Sequence, residues 1–108
     1  MLYELRIYEA VPGKLPALNN RFEKHATRFF AKHGIRTVGF WTTLVGPSAL
    51  EFTYLLSYDS MADRERKWNA FSTDPEWLAV KRETEADGPL WSNIRNQFLA
   101  PISYSPLP

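Results

Sequence analysis

The sequence predicts an α+β fold of the ferredoxin-like kind, an antiparallel four-stranded sheet with its helices on one face. Three observations predict it. The hydrophobic period switches between two and about 3.6 residues in the order β-α-β-β-α-(α)-β. The two strands in the middle of the chain lack a plainly polar face, so both faces of the sheet call for cover. The 108 residues include four Trp, five Tyr and seven Phe. That is a large apolar load for one copy of a domain that buries roughly two-thirds of its unfolded surface, and it points to self-association.

Leu2 to Tyr8 alternates, with Tyr3, Leu5 and Ile7 on one face and Glu4, Arg6 and Tyr8 on the other, as a strand does. Pro12-Gly13 breaks it. From Leu15 to His33 the period is helical: Leu15, Leu18, Phe22, Ala26 and Phe29 form an apolar stripe. Arg21, Lys24, Arg28 and Lys32 form a basic stripe beside it, read as a solvated face. Gly34 is placed to stop the helix.

Ile35 to Val45 and Leu50 to Tyr58 read as two more strands, joined through Gly46-Pro47-Ser48. In the first, Ile35, Trp41 and Val45 oppose Val38, Phe40 and Leu44. In the second, Leu50, Phe52, Tyr54 and Leu56 oppose Glu51, Thr53, Leu55 and Ser57. Ser60 with Asp63 opens a charged helix anchored by Met61, Trp68 and Phe71. Asp74-Pro75-Glu76 opens another, ended by Gly88-Pro89. Trp91 to Leu99 is the last strand, with Ile94 and Phe98 opposite Arg95, Gln97 and Leu99. Residues 1–100 are thus one domain and 101–108 an extended Pro-rich tail, a candidate arm across a partner.

A net charge of +1, from 13 basic and 12 acidic side chains, argues against a nucleic-acid surface. The chain has no Cys, so disulfide and thiolate chemistry are excluded, as is common for cytoplasmic proteins. No leader or bilayer-length apolar run is read. The two His are eight residues apart, roughly 12 Å along a helix, too far to share a metal. No metal site and no cofactor are expected.

Taken in order, Tyr3-Glu4-Leu5-Arg6, Pro12-Gly13-Lys14, His33-Gly34, Gly39-Phe40-Trp41-Thr42-Thr43, Tyr58-Asp59-Ser60, Ala62-Asp63-Arg64-Glu65 and Asp74-Pro75-Glu76-Trp77 resemble the NIPSNAP family. The resemblance implies a homodimeric α+β barrel of the dimeric α+β-barrel superfamily, and no agreed reaction. At three positions the chain departs from what the family often carries: Leu50 stands for Asn, Tyr54 for His and Leu56 for Trp.

Five residues are candidate site residues. His25, at the edge of the apolar stripe, reads as a general base or as a half-buried structural His. Glu4 and Arg6 share a face, with Arg95 or Gln97 joining from the last strand. They read as a fork for a carboxylate ligand or as an ion-pair network. Trp41 and Tyr54 read as the walls of a pocket or as core. The expectation is a homodimer binding a small apolar or aromatic molecule between the first helix and the sheet, lined by Trp41, Tyr54 and His25. The alternatives are a cofactor-independent monooxygenase or isomerase, with His25 as base and Tyr54 or Arg6 holding an enolate-like anion, and a protein-interaction module.

Overall fold

In the computed structural model, which describes residues 1–108, alternation carries the first strand to Ala10: β1 is Leu2–Ala10. With β2 (Arg36–Thr42), β3 (Glu51–Tyr58) and β4 (Trp91–Leu99) it forms one antiparallel sheet in the order β2-β3-β1-β4. Helices α1 (Leu15–Arg21), α2 (Thr27–Lys32), α3 (Met61–Ser72) and α4 (Pro75–Thr84) complete the fold. Leu18, Phe22, Ala26, Phe30, Phe71 and Trp77 share one continuous core with Tyr8, Phe52, Tyr54 and Leu56 of the sheet. The other face of the sheet, with Leu5, Ile7, Thr53 and Leu55, has no helix over it and stays half-exposed.

The first helix is not uniform. Between α1 and α2 a π-helical turn spans Phe22–Ala26. A turn closed by i→i+5 bonds holds more residues per revolution. It keeps Ala26 in line with Phe22 and rotates His25 away from the sheet. It also brings Phe30 into the core beside Phe29, at 1% and 9% exposure. The helix ends as the glycine predicts. Gly34 has φ +73°, and the Gly34 and Ile35 amides donate to Ala31 and Phe30 carbonyls at 3.1 and 2.8 Å, a Schellman closure.

β2 departs from expectation. It ends at Thr42, leaving Leu44 and Val45 almost fully exposed. Its register against β3 shifts between Thr37 and Gly39. The extra residue flips the alternation, so Phe40 pairs with Tyr54 on the helix side and Trp41 with Thr53 on the open side. Trp41 lies across Gly39, where a Cβ would meet the indole at 2.7 Å. The basic stripe is also divided. Arg21 is 2% exposed and pairs with Glu85 at 2.7 Å, while Lys24 and Arg28 face water.

Both later helices start as their caps predict. The Asp63 amide donates to Ser60 Oγ at 3.1 Å and the Glu76 amide to Asp74 Oδ1 at 2.9 Å. Met61, expected as an anchor of α3, is 43% exposed. Asp74 has a second role: its Oδ2 lies 2.8 Å from Lys32 Nζ and 2.7 Å from His33 Nε2. Hydrogen bonds from Lys32 and His33 hold its carboxyl well below the ordinary value of 3.8. A depressed carboxyl contributes stability above its unfolded value and loses it as pH falls through the folded one. Asp74→Asn keeps a cap and removes the charge. At pH 7 it should lower Tm, and the deficit should shrink below pH 3.8. A deficit unchanged with pH in thermal melts would show that the charge is not its source.

The tail, 101–108, carries no helix or strand. It returns to its own sheet, where Tyr3 Oη donates to the Pro108 carbonyl at 2.9 Å.

Candidate functional site

The alternation of β1 sends Glu4, Arg6 and Tyr8 beneath the helices, so the polar face of the strand is the buried one. Glu4 is 0% exposed. Its Oε2 accepts from Arg6 Nη1 at 2.9 Å, Arg64 Nη2 at 3.0 Å and Asn96 Nδ2 at 2.9 Å, and its Oε1 from Arg64 Nε at 3.1 Å. Burial pushes this carboxyl upward, but the bonds from Arg64 and Asn96 and the charge of Arg6 outweigh it. Glu4 titrates below the usual range.

Arg6 continues the network. Its Nε donates to Tyr54 Oη at 2.9 Å and its Nη2 to Tyr8 Oη at 3.3 Å. The two phenol oxygens are 2.9 Å apart. The guanidinium lies over Trp68, 4.3 Å from the ring centroid, while Arg64 lies 5.2 Å from the same ring and 5.1 Å from that of Phe98. Burial pushes the Tyr54 hydroxyl well above its ordinary value, so it remains a neutral phenol.

Beside this network, between helices and sheet, is a cavity of about 140 Å³. That is of the order of a pocket that admits a benzene ring. Phe22, Phe30, Trp68, Phe71, Trp77 and Trp91 supply aromatic walls; Arg6, Tyr8 and Tyr54 form one polar cluster of the lining, which also includes Arg21, Ser72 and Lys81. Neither a histidine nor a carboxylate lines it. The site can hold an apolar body and polarise an oxygen, but its walls offer no ordinary neutral-pH proton acceptor.

Of the five residues singled out from the sequence, the structure brings Glu4, Arg6 and Tyr54 together and separates the other two from them. Trp41 is on the opposite face of the sheet; Phe40 instead stacks on Tyr54, with ring centroids 5.6 Å apart. His25 accepts from Arg28 Nη2 at 3.1 Å and borders a groove with Glu76 of α4, so it does not face the sheet aromatics. Arg95 pairs with Glu51 at 2.6 Å. Asn96 rather than Arg95 or Gln97 pairs with Arg6 in register and reaches Glu4.

Sequence reasoning missed Arg64, Trp68 and Asn96 as parts of the site. The signal for the first two was present: Arg64, Trp68 and Phe71 are spaced four and three residues apart, one face of a helix. The run of charges around Arg64 concealed it.

A family model described as NIPSNAP matches residues 3–106. No curated protein matches. Among solved structures, the chain is similar to a NIPSNAP family protein with unknown function, atu4242 from Agrobacterium tumefaciens. Identity is 27%, coverage 99% of this chain and 93% of that one, and the TM-score 0.86. An uncharacterized NIPSNAP-like domain protein from Burkholderia xenovorans is 28% identical, with 97% and 88% coverage and a TM-score of 0.86. Rv0793 from Mycobacterium tuberculosis, at 15% identity, 96% and 97% coverage and a TM-score of 0.64, shares the fold alone.

Proposed function

The chain belongs to the NIPSNAP family, and from that premise we propose that it is a cytoplasmic homodimer that binds a small apolar or aromatic molecule between the first helix and the sheet. The observation that carries the binding reading is the cavity of about 140 Å³, with aromatic walls and the hydrogen-bonded cluster of Arg6, Tyr8 and Tyr54 in its lining. Such a site buries a flat ligand and orients it through a few fixed donors. The binding residues are Arg6, Tyr8, Tyr54 and the surrounding rings; Glu4 and Arg64 hold Arg6 in place. The homodimer is supported by the uncovered sheet face, where Trp41 is 52% and Val38 41% exposed beside Leu5, Ile7 and Leu55. A cysteine-free chain suits a reducing compartment.

Native mass spectrometry of the freshly purified protein tests both halves. The expected spectrum is two chains plus a small non-covalent mass. Ala26 is fully buried in the cavity wall, so Ala26→Leu should keep the two-chain mass and lose the ligand at least tenfold. Trp41→Glu, on the open face, should give a single chain at micromolar concentration. Ligand retained in Ala26→Leu would remove this cavity as its site, and a single-chain wild type would remove the dimer.

A further inference from the structure

We propose that the cavity selects a small aromatic carboxylate, its ring among the cavity aromatics and its carboxylate at the Arg6–Tyr8–Tyr54 cluster; this rests on the binding reading above and names the class of ligand.

The charges around the cavity favour an anion. Three cationic residues line it, Arg6, Arg21 and Lys81, and none that is acidic; Arg21 is paired outside the lining with Glu85 at 2.7 Å. Glu4 is the carboxylate within the Arg6 network, and two guanidiniums, Arg6 and Arg64, share it. Glu65, the other partner of Arg64, is largely exposed. Glu4 thus divides its charge between the buried Arg6 and the half-buried Arg64. A buried guanidinium that shares its one carboxylate is incompletely offset, and an anionic ligand would add to the compensation.

Both phenols accept from Arg6, and the two share one contact of 2.9 Å. That contact uses one hydroxyl proton. The second phenolic proton has no acceptor in the protein, although both tyrosines line the cavity. Arg6 commits three donors to Glu4, Tyr54 and Tyr8, out of the five a guanidinium carries. Arg21, also in the lining, is 2% exposed; its Nη1 donates to Glu85 and Thr84, and its Nε has no partner. Donors without acceptors, held in fixed geometry, are what a ligand's carboxylate would satisfy.

Isothermal titration at pH 7 and low salt with benzoate and its neutral isostere benzamide tests the charge preference. Benzoate should bind at least tenfold more tightly. Tyr8→Phe/Tyr54→Phe, which keeps the rings and removes both hydroxyls, should cut that preference by about tenfold. Equal or tighter binding of benzamide would overturn the carboxylate assignment and leave a neutral-ligand cavity standing. If neither probe binds while purified protein carries a small non-covalent mass, the carboxylate assignment falls alone. If neither binds and no such mass is carried, the binding reading falls with it. An unchanged preference in the double variant would overturn the role of the phenols.

Discussion

Glu4→Ala is expected to destabilise the protein by about 3–5 kcal/mol at pH 7, the usual cost of leaving a buried ion-pair partner alone. The variant would strand Arg6, only 8% exposed and with little room to reach water, while Arg64 keeps Glu65. It would also free the Asn96 amide from its acceptor. Glu4→Gln, which keeps the volume and one acceptor oxygen, should cost less than Glu4→Ala. Urea unfolding measures both. The sign with pH follows from the depressed carboxyl. The contribution is full above the ordinary value of 4.5 and declines as pH falls below it, so the gap between wild type and Glu4→Gln narrows in acid. A Glu4→Ala loss below about 1 kcal/mol would show that Arg6 and Arg64 relax into solvent at little cost.

Phe22→Ala should cost a similar amount, about 3–5 kcal/mol, by a different route. Phe22 begins the π-helical turn and packs against Phe52, Tyr54 and Tyr8 with ring centroids 4.6, 5.0 and 5.6 Å away. It also walls the cavity, so truncation deletes a ring and enlarges a space that the sheet beneath is too rigid to close. The loss should appear as a lower urea midpoint with an unchanged slope. Leu44→Ala, at a residue 97% exposed, is the control and should fall within about 0.5 kcal/mol of wild type. Nearly equal losses in the two variants would mean that the core refills around Phe22.

How much of the site was legible follows from the kind of signal each residue sent. Glu4, Arg6 and Tyr8 alternate, and a period of two states that they share a face. Their buried position was not legible, because the other face of β1, with Leu5 and Ile7, is the more apolar one. Burying the polar face is tolerable only because Arg64 and Asn96 supply donors from 60 and 92 residues away. No local pattern carries that compensation.

By itself, the sequence determined the element order, the helix caps at Ser60 and Asp74, the closure at Gly34 and the family. Each of these rests on interactions a few residues apart or on motifs in order. The tertiary structure decided where Trp41 and His25 point. One extra residue at the β2 bulge reverses which side chains face the helices, and one wide turn rotates His25 toward α4. Both are single-residue slips in an otherwise regular period. They are selected by packing Phe40 onto Tyr54 and Phe30 into the core, energies that exist only once the strands and helices have met.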